Sequence, residues 1–403
     1  MRKLYVFENH EVLNLEPIVL TRPAFDLRCG AFTFLERIQK SFPDADIELI
    51  VRNELKPITE ELYPDYTVNP AQVDEGLWIL GNVLWTKEDL NNISKKDYQF
   101  YYNDGELIAA YLRKDIGNNW LKMGGPVKDK ILACPTISEI KSKVIKYLWD
   151  AVNLTGMALK MDKEYFQNIN LENDSLNGVH IINKNDTYIK SPELIKPGVV
   201  IDASDGPVII ENGVEINSFS LLRGPLYIGT ESVVQPHTFI RGSIVGPVCK
   251  IGGEISSTII QGWTNKVHYG FLGNSYIGQW VNFGAGATNS NLKNNYTAVN
   301  VTVNNNVVKT DELFIGLFAG DYTTFAIGTT LNTGTNIGPG CNVVTNGFPP
   351  KKINPFTWFL NGKRMKTNET KFLKTAEAMQ NRRGKSLSEA EGQLLTELLI
   401  KQK

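Results

Sequence analysis

One histidine of this chain lies in a segment whose residue types could do chemistry. The chain has four histidines, and His268 is followed by a run rich in glycine and asparagine that extends from Gly270 to Asn295. A neutral imidazole with a pKa near 6.5 can remove a proton at neutral pH. Glycines around Ala285 let the backbone come close enough to donate N–H groups to a developing oxyanion. We therefore predict that His268 is a general base.

These residues lie within a repeat of six that must position them. An aliphatic residue occupies every sixth position from 210 to 240, namely Ile210, Ile216, Leu222, Ile228, Val234 and Ile240. Strands have a period of two and helices one of 3.6, so neither explains the spacing. A chain that turns a corner every six residues, and returns over itself after three corners, does explain it. The spacing predicts a parallel β-helix of about eight coils. The alternative is an antiparallel sandwich whose strands happen to be spaced six residues apart.

The repeat is predicted to continue beyond residue 240. Its second run comprises Val301, Val307, Leu313, Ala319, Phe325, Leu331, Ile337 and Val343, with Phe271, Ile277 and Phe283 on the same phase. Ile240 and Ile259 are 19 residues apart, where three corners would take 18. We therefore expect one inserted residue between them.

The repeat and the segment around His268 resemble the acetyltransferase half of the bifunctional enzymes that make UDP-N-acetylglucosamine. Those enzymes place a catalytic histidine three residues before Tyr-Leu-Gly, then have an Asn-Ile-Gly-Ala-Gly-Thr run and an Asn-Tyr. Here His268 precedes Phe271-Leu272-Gly273 at the same offset, residues 282–286 match the second element, and Asn291 matches the third. The resemblance is closer still to a Bacteroidetes-type variant, through residues 20–30, 252–254 and 265–295.

The resemblance implies both a fold and two activities. The fold is an α/β nucleotidyltransferase-like domain, a left-handed parallel β-helix and C-terminal helices. One activity transfers acetyl from acetyl-CoA to the amine of a glucosamine-1-phosphate-like sugar, and the other transfers a nucleotidyl group from a UTP-like triphosphate to the sugar 1-phosphate. It also implies substrate contacts at Arg241, Asn282 and Asn291, and acetyl-CoA contacts at Gly284 and Ala285. Further candidate substrate residues are Glu254, Lys266 and Phe271.

Some of these residues have a second interpretation or depart from the family. Asn282 and Asn291 could be structural, because asparagine tolerates the left-handed backbone of a coil corner. The family tyrosine is Phe271 here, which removes a hydroxyl. A phosphate-binding lysine in the coil before the histidine has no counterpart, and Glu254 stands in that segment. Glu254 would repel a phosphate but could hold an amine, so the acceptor could differ from glucosamine 1-phosphate.

The N-terminal half alternates strand-like and helix-like segments, which favours an α/β domain with a largely parallel sheet. The predicted strands are Leu4–Phe7, Ile47–Val51, Trp78–Leu80 and Glu106–Leu112, and the predicted helices are Ala31–Lys40 and Ser138–Leu154. Domain boundaries are predicted at 1–185, 186–347 and 348–403. Two C-terminal helices are predicted near Glu369–Gln380 and Leu387–Lys401.

A nucleotide site is predicted from charge, because the Gly-rich phosphate loop of sugar nucleotidyltransferases is absent. Arg22 and Arg28 flank Asp26 just before the first helix and could bind a triphosphate. The alternative is that both arginines simply pair with Asp26. Gly81-Asn82 stands where the wider family has Gly-Asp at a strand end, and asparagine is a poorer Mg²⁺ ligand than aspartate. Mg²⁺ is expected if nucleotidyl transfer occurs, with its protein ligands unknown.

Composition limits the function classes. The net charge is −1 with 21% charged residues, which does not indicate a nucleic-acid binder. No apolar run approaches membrane-spanning length, so we expect a cytoplasmic protein with no membrane partner. The four cysteines are far apart, which argues against a disulfide framework or metal cluster. The flat sides of a β-helix commonly pair about a threefold axis, so we expect a homotrimer.

Three functions remain open at this point. The first is a bifunctional acetyltransferase and nucleotidyltransferase. The second is a nucleotidyltransferase whose β-helix is only a trimerisation and regulatory scaffold. The third is a hexapeptide acyltransferase with a degenerate N-terminal domain that only binds.

Overall fold

The computed structural model describes residues 2–93, 99–123, 136–166 and 176–401. The first three ranges form an α/β domain, called here the N-terminal domain. Its strands are β1 (Arg2–Phe7), β2 (Ala45–Ile50), β3 (Thr67–Val68), β4 (Gly76–Leu80), β5 (Val83–Leu84), β6 (Gln99–Asn103), β7 (Glu106–Leu112), β8 (Thr136–Glu139) and β9 (Lys143–Val144). Its helices are α1 (Phe34–Ser41), α2 (Lys56–Leu62), α3 (Lys87–Asn92), α4 (Lys114–Lys122), α5 (Leu148–Asn153) and α6 (Thr155–Asp162).

The main sheet of this domain has the order β3-β2-β1-β4-β7-β6-β8. Strand β1 is parallel to β2 and β4, whereas β7 is antiparallel to β4 and β6. The α/β prediction is confirmed. The predicted helix Ser138–Leu154 is wrong over its first ten residues, because residues 136–139 pair with β6 and residues 143–144 pair with β5. There, strand pairing between distant segments overrides local helical spacing.

Residues 180–360 form a three-sided parallel β-helix, and the strand Lys363–Lys366 then pairs antiparallel with its last strand. The sides are numbered in the order in which the chain passes through them. Side 1 contains β10 (His180–Ile182), β12 (Val200–Asp202), β15 (Leu221–Arg223), β18 (Phe239–Arg241), β21 (Glu254–Ser256) and β24 (Phe271–Gly273). Side 2 contains β11 (Thr187–Ile189), β13 (Val208–Ile210), β16 (Leu226–Ile228), β19 (Ile244–Val245), β22 (Ile259–Gly262), β25 (Tyr276–Gln279), β30 (Leu317–Ala319), β33 (Thr335–Ile337) and β35 (Lys352–Ile353).

Side 3 contains β14 (Glu215–Ile216), β17 (Val233–Val234), β20 (Lys250–Ile251), β23 (Asn265–Lys266), β26 (Asn282–Phe283), β31 (Thr324–Phe325), β34 (Asn342–Val344), β36 (Thr357–Leu360) and β37 (Lys363–Lys366). Beyond side 1 lies the parallel pair β27 (Thr288–Asn289) and β32 (Thr330–Leu331). An excursion between β27 and β30 carries the hairpin β28 (Asn300–Val303) and β29 (Asn306–Lys309). Strand pairing in the stack therefore begins at residue 180 and continues past residue 347.

The interior of the β-helix confirms the first run of the repeat. All six residues from Ile210 to Ile240 are fully buried in one core. In the second run, residues 319, 325, 331, 337 and 343 belong to that core, but Val301, Val307 and Leu313 lie in the excursion. Val307 and Leu313 are exposed, so the prediction is wrong there. It is also wrong for Phe271, because its neighbour Leu272 points inward.

The predicted one-residue insertion after Ile240 is also wrong. Ile240 pairs with Ile255, fifteen residues later, so this coil is three residues shorter than the usual eighteen. Ile259 points outward and Ile260 fills the interior position. Counting from Ile240 to an outward-facing residue produced the apparent insertion.

The outer face of side 2 is covered by the N-terminal domain. Its outward residues belong to the same hydrophobic core as the N-terminal sheet, and they are Ile209, Tyr227, Ile244, Ile259, Tyr276 and Phe318. Because apolar burial is roughly proportional to the area removed from water, this continuous contact joins the two parts firmly. Sides 1 and 3 remain outside this contact.

Residues 20–30 form the polar part of this junction. The Arg22 guanidinium lies 2.6 Å from carboxylate oxygens of both Asp26 and Asp321, and the Thr21 hydroxyl donates to Asp321 at 2.7 Å. Burial lowers the pKa of Arg22, but the two carboxylates outweigh burial and the net shift is upward. The backbone N–H of Arg28 donates to Gln261 and to the Tyr276 hydroxyl. These contacts tie the segment to side 2 of the β-helix and to its corner with side 3.

The C-terminal helices are α7 (Glu369–Asn381) and α8 (Glu389–Ile400), close to their predicted bounds. They pack on an aromatic ladder along the corner between sides 2 and 3. In that ladder the rings of Trp263 and Trp280 stack at 4.9 Å, and Tyr322 continues the stack. All three residues have left-handed backbone angles, which turn the chain at this corner. The helices therefore cover one corner and leave sides 1 and 3 as the open faces.

None of the helices in the described part of the chain is both long enough and apolar enough to cross a lipid bilayer. Three of the four cysteines, Cys29, Cys249 and Cys341, are buried free thiols, and Cys134 lies outside the described residues. Burial raises the pKa of each of these three thiols to about 12. Such thiols are inert at neutral pH.

The junction predicts a large effect for one substitution. Arg22→Met should lower the free energy of unfolding by about 3–5 kcal/mol, because it leaves two carboxylates buried without their cation. Arg113→Met removes an exposed ion pair with Asp115 and should change the free energy of unfolding by no more than about 0.5 kcal/mol. Urea denaturation followed by tryptophan fluorescence measures both. Equal effects of the two substitutions would contradict this account of the junction.

Candidate functional site

Side 1 of the β-helix is an open face built from short parallel strands. Each strand contributes two outward residues, so two columns run along the face. One column contains Phe239, Glu254 and Phe271, and the other contains Arg223, Arg241, Ser256 and Gly273. Neighbouring strands are about 4.8 Å apart and a strand rises about 3.3 Å per residue. The two columns are therefore roughly 7 Å apart.

His268 lies at one edge of side 1, at the corner where the chain passes from side 3 to side 1. Its side chain is exposed, and it precedes Phe271 at the start of β24. Its neighbour Tyr269 is also exposed, and the Tyr269 hydroxyl lies over Gly286 of the next coil. The sequence-predicted base is thus at an accessible corner and is not sealed in the core.

The corner that carries His268 is supported from inside by Lys266. Ile216, Val234 and Ile251 form a column of interior side chains, and Lys266 occupies the next position in that column. Its side chain is almost completely buried, and its ammonium donates to the carbonyl oxygens of Gly252 at 3.0 Å and His268 at 2.5 Å. Burial lowers the pKa of Lys266 to about 8.

A cavity of about 400 Å³ lies at the opposite edge of side 1, at the corner between sides 1 and 2. Two of the predicted substrate residues, Arg241 and Asn291, line it. Arg241 donates through Nε to the Ser256 hydroxyl at 2.9 Å, and the Asn291 amide donates to Asn274 at 2.8 Å. Sequence reasoning missed Arg223, which lines the same cavity one coil earlier. Its spacing of eighteen residues from Arg241, one full coil, was the available signal.

Glu254 and Phe271 lie between the two edges. They are register partners on adjacent strands of side 1, and Glu254 is exposed. The Phe271 ring lies over Gly273, where an added Cβ would come within 2.3 Å of the ring. The Phe271 ring thus fills the space that a side chain at residue 273 would occupy. The structure brings Arg241, Glu254, Phe271 and Asn291 to one face, with His268 at its edge.

Asn282, Gly284 and Ala285 lie elsewhere on the same coil. Asn282 is a half-buried outward residue of side 3, aligned with Asn265. Gly284 packs on the next coil, because an added Cβ there would come within 2.5 Å of the Ile327 nitrogen. Ala285 is half-buried near the corner between sides 3 and 1, and its carbonyl accepts from Gly328. Within one chain these three residues adjoin the His268 corner from side 3.

The predicted nucleotide residues Arg22, Asp26 and Arg28 are all buried at the junction. Arg22 pairs with Asp26, as the alternative interpretation held, and also with Asp321. The Arg28 guanidinium donates to the Ala31 carbonyl instead of to Asp26. Burial raises the pKa of Asp26 despite the attraction of Arg22, and Tyr63 donates a hydrogen bond to its other oxygen. A nucleotide role for these residues stays a prediction.

Gly81 and Asn82 follow β4 at the carboxyl edge of the sheet. A Cβ on Gly81 would come within 2.9 Å of Phe25, so this glycine allows residues 20–30 to pack closely. Asn82 is buried, its amide nitrogen donates to Ile145, and its Oδ1 has no hydrogen-bond partner. The nearby Glu8 carboxylate accepts from the Ala24 backbone and from Arg52.

These groups do not form a Mg²⁺ site. Over the described ranges, no three His, Cys, Asp or Glu side chains converge in a way that could hold a metal ion. Mg²⁺ requires several oxygen ligands in near-octahedral geometry, and the single amide oxygen of Asn82 supplies only one.

The N-terminal domain has its own cavity at the carboxyl edge of its sheet. It has a volume of about 470 Å³ and lies beyond the end of β2. Arg52 and Asn69 line one wall, and Lys122 at the end of α4 lines another. Crevices outside the carboxyl ends of parallel strands are the usual ligand sites of α/β sheets.

Comparison with known proteins connects this geometry to a family. Residues 4–170 match the family model described as sugar nucleotidyl transferase. The N-terminal domain is therefore similar to this family over nearly its whole length. Over 255 residues the chain is 26% identical to "Bifunctional protein GlmU" of Clostridioides difficile, which covers 57% of this chain and 50% of that protein.

Two further relatives agree. One is "Bifunctional protein GlmU" of Nostoc sp., 28% identical over 185 residues, or 36% of this chain and 41% of that protein. The other is "Bifunctional sugar-1-phosphate nucleotidylyltransferase/acetyltransferase" of Sulfurisphaera tokodaii, 33% identical over 136 residues, or 33% of this chain and 34% of that protein. The matches span half or less of the length of these relatives.

The buried position of Lys266 leads to a stability prediction. Lys266→Met should raise the free energy of unfolding at pH 7 by about 1–3 kcal/mol, because an apolar side chain of similar length replaces a buried cation that has no carboxylate partner. The folded-state pKa of about 8 lies below the ordinary value of 10.5, so the wild type should gain stability from pH 8 to about 10.5. The difference in free energy of unfolding between Lys266→Met and the wild type should therefore become smaller as the pH rises from 8 to about 10.5.

Thermal and urea denaturation at pH 7 and pH 9.5 measure this difference. Lys250→Met is the matched control, since Lys250 is the exposed neighbour of Ile251 on side 3. A Lys266→Met protein that is less stable than the wild type at pH 7 would show that the two carbonyl contacts outweigh the cost of burial.

Proposed function

We propose that this chain is a bifunctional transferase of amino-sugar nucleotide synthesis. One reaction moves an acetyl group from acetyl-CoA to the amine of a sugar 1-phosphate on side 1 of the β-helix. The other moves a nucleotidyl group from a UTP-like triphosphate to the sugar 1-phosphate in the N-terminal domain. The Sulfurisphaera tokodaii relative is named for both activities, and the Clostridioides difficile relative is named as bifunctional, which supports this proposal.

One observation carries the acetyl-transfer half. An exposed imidazole stands at one edge of side 1, and the arginine-lined cavity stands at the other. A sugar that carries a phosphate on one carbon and an amine on the next can span the two outward columns of side 1, which are roughly 7 Å apart. Arg241 would hold the phosphate with its forked guanidinium, and Glu254 between the edges would orient the amine. His268 would then be within reach of the amine proton.

The proposed reaction is direct acyl transfer. The lone pair of the sugar amine attacks the thioester carbonyl of acetyl-CoA, and the imidazole of His268 takes the proton that the nitrogen loses. Backbone N–H groups near Ala285 stabilise the oxyanion of the tetrahedral intermediate. Collapse of the intermediate breaks the carbon–sulfur bond, and the imidazolium returns the proton to the departing thiolate. The products are the amide and free CoA.

A homotrimer would complete this site. Side 2 is covered by the N-terminal domain, so a threefold assembly would use sides 1 and 3. Asn282 and Gly284 belong to side 3 and its corner, and in such an assembly they would face side 1 of a neighbouring copy. Acetyl-CoA would bind along this seam, with contacts at Gly284 and Ala285. The proposed compartment is the cytoplasm.

The nucleotidyl-transfer half rests on the match of residues 4–170 to the sugar nucleotidyl transferase family model. We place the triphosphate in the cavity beyond β2, where Lys122 supplies an exposed cation. A divalent ion bound to the triphosphate neutralises its charge in such reactions. The described residues add no metal site of their own, so the ion would enter with the nucleotide.

A second candidate function has a specific observation in its favour. The side chains of Arg22, Asp26 and Arg28 are buried and hydrogen-bonded to protein groups at the junction, and the usual phosphate loop is absent. This arrangement favours an acyltransferase whose N-terminal domain has lost nucleotidyl transfer. The two candidates share the acetyl chemistry and differ only in pyrophosphate release.

The first test concerns the base. With acetyl-CoA and glucosamine 1-phosphate, His268→Ala should lower kcat for thiol release by about 10²–10⁴-fold, the usual contribution of a general base. His237→Ala is the matched control, because His237 is exposed at the same corner two coils earlier. It should change kcat less than twofold. A loss smaller than tenfold in His268→Ala would rule out His268 as the base.

The second test concerns the N-terminal domain. Pyrophosphate release is measured with Mg²⁺ and a panel of nucleoside triphosphates and sugar 1-phosphates. Turnover is expected with UTP and N-acetylglucosamine 1-phosphate, and Lys122→Met should lower kcat/KM for the triphosphate at least tenfold, the loss of one charge-assisted contact. Lys374→Met on α7 serves as a control for general loss of positive charge. Absence of turnover with every pair would leave the acyltransferase alone.

A further inference from the structure

Arg241 has a second arginine beside it in the cavity between sides 1 and 2. Arg223 and Arg241 are register partners on the adjacent strands β15 and β18, and both side chains are exposed outward residues that line the cavity. Adjacent parallel strands are about 4.8 Å apart, so two guanidinium groups leave the sheet side by side. Side-by-side cations repel each other, and an anion bound between them would remove that repulsion.

Both arginines are anchored through the same atom. Arg223 donates through Nε to Asp202 at 3.1 Å, and Arg241 donates through Nε to the Ser256 hydroxyl at 2.9 Å. Anchoring at Nε fixes the plane of a guanidinium while its terminal nitrogens extend beyond the anchor. Two oriented forks on one face are the arrangement that binds the oxygens of a phosphate bidentately.

The two aspartates near Arg223 differ in how they are held. Asp202 is nearly buried, and hydrogen bonds from Ser204, followed by the contact with Arg223, hold its pKa below the ordinary value. Asp205 lines the cavity, is largely exposed, and lies 3.6 Å from Arg223. An exposed ion pair of this kind is worth little. Asp202 is therefore the fixed anchor, and Asp205 is a weak partner that a stronger anion can displace.

The other lining groups suit a sugar phosphate. Asn274 and Asn291 carry amide groups at the far wall, and Ser257 carries a hydroxyl. Pro225 and Phe314 add apolar surface against which a sugar ring can pack. A dianionic phosphate in this cavity would meet two cations, hydroxyl and amide donors, and one displaceable carboxylate.

We propose that Arg223 is a second phosphate-binding residue, which acts with Arg241 to hold the phosphate of the acceptor sugar after displacing Asp205. This inference rests on the proposed acetyl transfer for its substrate. Arg223 and Glu254 lie on the two strands that flank the strand of Arg241. A phosphate held between the two arginines would leave Glu254 free to face the amine.

Two substitutions test this with opposite expected effects. In the full-length protein, Arg223→Met should raise KM for glucosamine 1-phosphate at least tenfold with little change in kcat, since it removes one charged contact to the phosphate. The ratio of kcat/KM for glucosamine 1-phosphate to kcat/KM for glucosamine should fall by the same factor. Asp205→Asn should lower KM for glucosamine 1-phosphate, because it removes the competing carboxylate. Arg223→Lys should restore part of the affinity.

A binding measurement separates this inference from the proposed function. Titration of the full-length protein with inorganic phosphate, followed by calorimetry, should show weaker binding in Arg223→Met and tighter binding in Asp205→Asn. That pattern without acetyl transfer in the wild type would keep the phosphate site and reject the acetylation. Acetyl transfer with unchanged KM and unchanged phosphate binding in Arg223→Met would overturn the role of Arg223 and keep the acetylation. Tighter binding in Arg223→Met would also overturn it.

Discussion

The arrangement of this protein depends on the contact between the N-terminal domain and side 2 of the β-helix. A column of apolar and aromatic residues on side 2, including Tyr227 and Tyr276, joins the core of the N-terminal sheet. A β-helix of this shape has three sides, and this contact removes one of them from any other use. The C-terminal helices then cover the corner between sides 2 and 3. Sides 1 and 3, the corner between them and the cavity at the corner between sides 1 and 2 remain accessible for chemistry.

The same contact explains why residues 20–30 carry two arginines that do not face solvent. Arg22 is neutralised by Asp26 from its own segment and by Asp321 from the β-helix, so each part of the molecule supplies one carboxylate. Burying a cation is tolerable only when its charge and its hydrogen bonds are satisfied. A charge pattern that resembles a triphosphate site in sequence therefore also suits a junction between domains. Sequence cannot separate these cases, because Asp321 lies 299 positions from Arg22.

The repeat of six shows what could be predicted and where prediction fails. Interior positions such as Ile210 and Ile240 were predictable because each coil must fill the same narrow space with one aliphatic side chain per corner. Lys266 occupies an interior position although it is not aliphatic. Its ammonium is satisfied by the carbonyls of Gly252 and His268, a contact that the spacing does not predict. Errors arose where the coil length changed, since one short coil shifts the phase of every later count. The hairpin at residues 300–309 continued the spacing by coincidence.

In the candidate site, too, the sequence indicates some of the residues, and only the fold determines how they are arranged. The resemblance singles out His268, Arg241 and Asn291 as candidates by their offsets, and Glu254 as a departure from the family. Their placement on one face, with Glu254 between its two edges, follows from strand register. Arg223 was missed although it occupies the Arg241 position one coil earlier, because a single coil gives no reason to compare outward residues. In a β-helix the outward residues of successive coils become neighbours about 4.8 Å apart, as in any parallel sheet. The residues of a binding site on such a fold therefore recur along the sequence at intervals of one coil, and a single local motif does not contain them all.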